Sequence, residues 1–197
     1  MLPGPIAYTL TRMAQVPGSV APIVQAVRER LPGLIDRMAH RIRTEVPVYE
    51  DVVDAAEHRT SVQTNVEYVL GGLFGDDVRD LAAPMATGRA RAAQGVPLAE
   101  MLAAHRLGFA EVWHEMVAVA QALPEATDST LVELAGDMFT LHSRYADASV
   151  SGYRHEYQGI VRTTARSGEP GVTVRTTRWS TTWSASAGGG GTAAESA

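Results

Sequence analysis

The sequence contains no cysteine, which excludes both a disulfide framework and a thiolate metal site. It also lacks any run of about 18 apolar residues without a charge, so no membrane-spanning segment is predicted. Its first residues have neither the basic start nor the uninterrupted apolar run of a signal peptide. From these absences we predict a cytoplasmic protein.

Positive charge is scarce as well, because 17 basic residues stand against 22 acidic ones and the formal net charge is −5. Nucleic-acid-binding proteins usually carry a basic surface, so direct binding of nucleic acid is not predicted. The sequence has no G-x-S-x-G nucleophile elbow and no glycine-rich phosphate loop. We therefore expect a chain that is not an enzyme.

What the sequence does contain is helical periodicity. Large apolar residues recur at spacings of three and four from about residue 19 to residue 160, which is the pattern of amphipathic helices. Strand patterns of comparable strength are missing. The periodicity predicts an all-α domain over residues 19–160, with five or six helices packed as a helical bundle or in a globin-like arrangement.

Helix boundaries follow from prolines and acidic residues. The first helical arm is interrupted at Pro32 and stopped by Pro47. A second helix is predicted to begin near Asp51 and a third near Asp76, since carboxylates favour helix N-termini. Pro84 is predicted to kink the third helix. The inward-facing apolar residues are predicted to include Val52, Val132 and Phe139.

Both flanks differ from this domain in composition. Residues 1–18 are rich in proline and glycine and are predicted to be a flexible lead-in. Residues 161–197 contain no leucine, isoleucine, methionine, phenylalanine or tyrosine, so they are predicted to form a low-complexity, disordered tail. Trp179 and Trp183 in this tail fit either a docking motif or a truncated or frame-shifted end.

The helices are predicted to be organised around residues 89–113, RARAAQGVPLAEMLAAHRLGFAEVW. An arginine-bearing helix end closes at Gly95. The fourth predicted helix, which is amphipathic, follows from Pro97 to about Leu123, where Pro124 is a stop signal. Arg89, Arg91 and Arg106 flank this turn in the sequence. They indicate either an anion site or a structural role at the helix end.

Histidine is the natural metal or haem ligand in a chain without cysteine. His105 lies beside the apolar stripe of its helix, so a haem- or small-molecule-binding helical sensor is one alternative to a purely structural histidine. Glu111 and His114 form an E-x-x-H pair, one half of the motif that di-iron bundles use twice. A metal-dependent helical enzyme is the second alternative, and no cofactor or metal is predicted.

The central stretch, together with the upstream segment MAHRIRTEVPVYED, resembles the RsbT co-antagonist RsbRD N-terminal-type domain of PucR/CdaR-like transcriptional regulators of actinobacteria. In that family an arginine-rich helix end precedes Q-G-V-P-L, here Gln94 to Leu98. A leucine-rich helix follows, with His105-Arg106 and then Trp113 at the matching positions. The resemblance covers about residues 20–158.

This resemblance implies a regulatory input domain that senses or relays a signal. Full regulators of this kind continue into a DNA-binding helix-turn-helix, for which no sequence is present after Ile160. The chain is therefore expected to lack that output domain and to act on a protein partner, or as a homodimer through the last helix around residues 145–157. The candidate residues for a signal pocket or structural joint are Arg91, Gln94, His105, Arg106 and Trp113.

Overall fold

The computed structural model describes residues 20–73, 80–124 and 126–167. Within these ranges the chain forms seven α-helices and no strand, so the all-α prediction is confirmed and the helix number exceeds the predicted five or six. The predicted lead-in and residues 168–197 lie outside the described ranges. The helices are α1 (Ala21–Glu29), α2 (Leu31–Glu45), α3 (Val48–Val52), α4 (Ala55–Leu73), α5 (Ala82–Ala93), α6 (Leu98–Ala122) and α7 (Asp128–Ser167).

The segment after α2 departs from the prediction of a helix that starts near Asp51. Pro47 ends α2 and also precedes the short helix α3, after which Val53 is extended. The next long helix, α4, begins only at Ala55. Its first-turn N–H groups of Ala56 and Glu57 donate to the Asp54 carboxylate at 3.0 and 2.9 Å. Asp54 therefore has the capping role that the sequence analysis gave to Asp51.

Helix α5 also starts later than predicted. Asp76 lies outside the described residues, but Asp80 and Leu81 are not helical and α5 begins at Ala82. The Asp80 carboxylate accepts a hydrogen bond of 2.8 Å from the N–H of Ala82. Pro84 consequently lies in the first turn, where its missing N–H has no helical partner to lose. The predicted kink at Pro84 is wrong for this reason.

The hydrophobic core lies between α1, α2, α4, α6 and α7, and most of the predicted apolar stripes face it. Three predicted core residues do not, because Val52, Val132 and Phe139 are 42%, 72% and 74% exposed. On α7 the buried side chains lie on a different face from Val132 and Phe139, which are seven residues apart and form a second apolar stripe. The largest fully buried apolar residues are Ile23, Leu34, Leu70, Met101, Met116, Leu134, Leu141 and Tyr145.

Helices α5 and α7 approach each other backbone to backbone. A Cβ atom at Gly88 would lie 1.9 Å from the carbonyl oxygen of Ser149, and one at Gly152 would lie 2.2 Å from the carbonyl oxygen of Met85. Both distances are far below van der Waals contact. The crossing therefore requires glycine on both helices.

Helix α7 is the longest element, with 40 residues. It continues past Ile160, where the composition predicted the tail to begin, and ends at Ser167. Near this end Tyr157 and Val161 are 42% and 50% exposed. No helix in the described ranges is both long and apolar enough to cross a membrane.

Candidate functional site

The turn between α5 and α6 positions the residues that carry the sequence motif. Gly95 has a φ of +78°, and its N–H donates to the Ala92 carbonyl at 3.1 Å while the Val96 N–H donates to the Arg91 carbonyl at 3.0 Å. These two bonds form a Schellman motif, which closes α5 as the sequence predicted. The hydroxyl of Tyr153 on α7 donates to the Val96 carbonyl at 2.9 Å, so the turn is held against α7.

Replacing Gly95 with alanine should destabilise the protein by about 1 kcal/mol, because an L-residue rarely adopts a positive φ. A Cβ at Gly95 would meet no atom within 4 Å, so the cost is one of backbone conformation alone. Chemical denaturation of the variant measures it. An unchanged free energy of unfolding would contradict the backbone argument.

Arg91 points inward from the end of α5 and is almost completely buried. Its guanidinium donates to Glu57 at 2.9 Å and to the side-chain oxygen of Gln94 at 2.5 Å, and it lies 5.5 Å from the ring centre of Tyr49. The Gln94 amide donates to the same Glu57 carboxylate. The buried positive charge is thus paired and hydrogen-bonded, as a charge in a protein interior must be.

Beside Arg91 the helices border a small, partly open space of about 60 Å³, called the inner cavity below. Its wall is apolar on the α2 side, whereas α4 contributes both valines and polar side chains, and α5, α6 and α7 add further polar groups. The residues that define this inner cavity are Met38, Ile42, Tyr49, His58, Ser61, Val62, Asn65, Val66, Val69, Thr87, Arg91, Ala104, His105, Gly108, Phe109, Val112 and Tyr145.

His105 is the most unusual group in the inner cavity. It is buried, and neither ring nitrogen has a hydrogen-bond partner among the described residues. Burial lowers the pKa of His105 to about 3, with smaller contributions from the nearby charges of His142, Arg91 and Arg106. The ring is therefore neutral at pH 7. It packs edge-on against Tyr145 with ring centres 4.9 Å apart.

His58 is a second neutral histidine at the cavity wall. Burial, and then the positive charge of Arg91, lower the pKa of His58 to about 4. Its ring centre lies 5.0 Å from that of Tyr49, and no described residue bonds to its Nδ1 atom. Burial also raises the pKa of Tyr49 to about 12. Near neutral pH the cavity therefore presents uncharged imidazole and phenol groups.

Tyr145 connects the cavity to α7. Its side chain is fully buried, and burial raises the pKa of the phenol above its ordinary value. The hydroxyls of Thr87 and Ser149 lie close enough to influence its ionisation, although no hydrogen bond of good geometry to its oxygen is formed within the described ranges. An unsatisfied buried polar group costs roughly 1–3 kcal/mol, so a group that bonded to the Tyr145 oxygen would stabilise this end of the cavity.

An outer groove of about 300 Å³ lies on the other side of Phe109, between α6 and α7. Phe109 lines both spaces, and its ring centre lies 4.5 Å from that of His142 and 5.6 Å from that of Tyr145. The outer groove is defined by Arg106, Phe109, Ala110, Trp113, Ala135, Met138, Phe139 and His142.

The pattern that defines the RsbT co-antagonist protein rsbRD N-terminal domain matches residues 32–167. The chain belongs to this family. No curated protein and no solved structure matches it. The match runs from the second residue of α2 to the last residue of α7, so the cavity and the groove both lie inside the RsbRD N-terminal domain.

The structure divides the five candidate residues of this RsbRD N-terminal domain between two places. Arg91 and His105 line the inner cavity, and Gln94 bonds to Arg91 from just outside it. Arg106 and Trp113 line the outer groove instead. Arg91 and Arg106, which flank the Gly95 turn in the sequence, therefore face different spaces and do not form a shared anion site.

The E-x-x-H pair of the RsbRD N-terminal domain is not assembled into a metal centre. Glu111 accepts a charged hydrogen bond from Arg41, and His114 is exposed. Among the described residues, no three His, Asp or Glu side chains are grouped so that they could hold a metal ion. This geometry favours a structural role for Glu111 in the ion pair with Arg41.

Four residues of the two spaces were missed by the sequence analysis. Tyr49 and His58 were not among the predicted site residues, and Phe139 was assigned to the core. Tyr145 was expected at the start of a dimer-forming surface on the last helix, but its side chain is buried. A signal for Phe139 was present, because it lies seven residues after Val132 on a stripe beside the core stripe. No comparable signal marks Tyr49 or His58, since their burial depends on α5 folding back over them.

Proposed function

We propose that the chain is a non-enzymatic, cytoplasmic signalling and regulatory input domain of the kind found in PucR-like transcriptional regulators. Membership of the RsbRD N-terminal family supports the regulatory class. The observation that carries the proposal further is the double involvement of α7. This one helix contributes Tyr145 to the inner cavity and exposes apolar side chains near its other end.

The inner cavity supplies an element that can adopt more than one packing. His58, His105 and Tyr145 each have unmet hydrogen-bonding capacity, so a rearrangement or a bound group that satisfied them would be stabilised. A signal that favours one arrangement would shift the population between them. Because Tyr145 is part of α7, the shift would move that helix.

A movement of α7 would be transmitted to a partner by the C-terminal end of this helix. Tyr157 and Val161 lie 12 and 16 residues after Tyr145, which corresponds to about 18–24 Å along a helix that rises 1.5 Å per residue. They are exposed on one face, four residues apart. We propose that this stripe contacts a protein partner or a second copy of the chain.

The two alternative functions fit less well. A haem sensor that uses His105 needs far more room than about 60 Å³, since ordinary ligand pockets occupy roughly 300–1,000 Å³. A metal-dependent enzyme at Glu111 and His114 would have to break the ion pair with Arg41. A small-molecule sensor remains compatible with the regulatory proposal.

Transcript profiling in the native host tests this function. Deletion of the gene should change a restricted set of transcripts, and replacing Tyr157 and Val161 with glutamate should change the same set, because exposed residues can be altered without unfolding the domain. Gln158→Glu, on the same helix segment, is the matched control and should behave as wild type.

Two results would overturn parts of the proposal. An unchanged transcript profile in the deletion strain would refute the regulatory assignment. A wild-type profile for the Tyr157→Glu, Val161→Glu variant beside an altered profile for the deletion would refute the role of α7 as the output surface.

A further inference from the structure

The outer groove leaves an unusual amount of apolar surface in contact with solvent. Phe139 is 74% exposed although it is a large aromatic residue, and it lies opposite Phe109 and Trp113 of α6. At about 300 Å³ the groove falls within the size range of ligand pockets. By comparison, a cavity of about 150 Å³ holds a benzene molecule, so this groove has room for roughly twelve non-hydrogen atoms.

The groove also has a charged end. Arg106 lines it and is exposed, and within residues 20–73, 80–124 and 126–167 its guanidinium forms no salt bridge. Its positive charge adjoins His142, whose pKa is lowered by burial and then by Arg106. An arginine fork at the edge of an apolar groove complements a single carboxylate, which it can bind with two parallel hydrogen bonds.

We propose that the outer groove binds a small amphipathic carboxylate, with its apolar body between Phe109, Trp113 and Phe139 and its carboxylate at Arg106. A medium-chain fatty acid or an aromatic acetic acid has the required size and shape. The inference rests on the proposed regulatory function in one respect, because it identifies the chemical class of the signal.

Contacts lead from the groove to the inner cavity. Phe109 forms part of both, and its ring packs against Tyr145 at 5.6 Å, while Tyr145 packs against His105 at 4.9 Å. A ligand that displaces Phe109, or holds its ring in place, therefore changes the packing of Tyr145, which belongs to α7 and lines the inner cavity. This continuity gives the bound carboxylate a physical route to the proposed output helix.

Calorimetric titration of the full chain with indole-3-acetate, and with its uncharged amide as the matched ligand, tests the proposal. The acid has about 13 non-hydrogen atoms, and at roughly 0.3 kcal/mol per atom it should bind with a dissociation constant on the order of 1 mM or tighter. The amide should bind about tenfold more weakly, because it lacks the charge that Arg106 recognises.

Three variants locate the site. Arg106→Gln should remove the preference for the acid, whereas the exposed Arg154→Gln on α7 should not change it. Phe139→Ala should weaken both ligands several-fold, and because Phe139 is exposed this variant should still fold. Ala110→Trp should fill the groove and abolish binding of both, and circular dichroism checks that its helices are intact.

Several outcomes would overturn the proposal. Absence of saturable binding by either ligand would refute the site, and equal affinities unaffected by Arg106→Gln would refute the carboxylate. If the chain sediments as a dimer that Ala110→Trp converts to a monomer, a second copy covers the groove and no ligand does. None of these results depends on the transcript profile of the deletion strain, so the regulatory function can fail or hold independently of the carboxylate site.

Discussion

Replacing Gly88 with alanine should destabilise the protein by about 3 kcal/mol, even though alanine is the better helix former by about 1 kcal/mol. The new methyl group would lie 1.9 Å from the Ser149 carbonyl oxygen, and a backbone atom inside a helix cannot move aside as a side chain can. Overpacking of a tight interface typically costs 1–3 kcal/mol, and a backbone contact belongs at the upper end. Gly152→Ala, with its contact to Met85, should behave alike.

Gly136 supplies the matched control for this substitution. Like Gly88 it lies inside a helix, in this case α7, but a Cβ there would meet no atom within 4 Å, so Gly136→Ala should stabilise the protein by up to about 1 kcal/mol. Thermal unfolding should show a drop of roughly 6–12 °C for Gly88→Ala and a small rise for Gly136→Ala. If both glycines respond in the same direction, the close approach of α5 and α7 is not as described.

Lowering the pH from 7.5 to 5 should destabilise the fold by about 2 kcal/mol for each of two buried histidines. The pKa values of His58 and His105 are about 4 and 3 in the folded protein, against about 6.5 in an unfolded chain. Between these values the unfolded state binds more protons, so stability rises with pH. The contribution is complete above about pH 6.5 and is lost as the pH falls towards the folded pKa values.

Urea denaturation of single variants at both pH values separates the two histidines. His105→Leu and His58→Leu should each remove about 2 kcal/mol of the difference between pH 7.5 and pH 5. Replacing the exposed His114 with glutamine should leave that difference unchanged. A double variant with the same pH dependence as the wild type would show that other groups are responsible.

Local features of this fold were predictable from the sequence. The fourth predicted helix, from Pro97 to about Leu123, matches α6 to within one residue at each end, because a proline marks its beginning and another follows its end. The turn at Gly95 was predicted from a single residue as well, because glycine readily adopts the positive φ that ends a helix. His105 was placed correctly beside the apolar stripe, where it meets the inner cavity.

Features that depend on contacts between distant segments were not predictable. Arg91 and Arg106 are close in sequence, but they lie on two helices joined by a turn that directs one inward and the other outward. Tyr145 has the polar appearance of a surface residue, and its burial follows from the depth at which α7 is seated against α5. Periodicity reports which face of a helix is apolar, and it does not report how closely that face is approached.

The crossing of α5 and α7 also constrains how the chain folds. The whole of α6 lies between these two helices in sequence. Their contact therefore closes a long loop, and closing that loop costs chain entropy that the contact has to offset. Contacts of this kind slow folding more than the local pairing of neighbouring helices does. The backbone contact at Gly88 and Gly152 is therefore expected to slow the folding of this domain relative to a bundle that pairs only neighbouring helices.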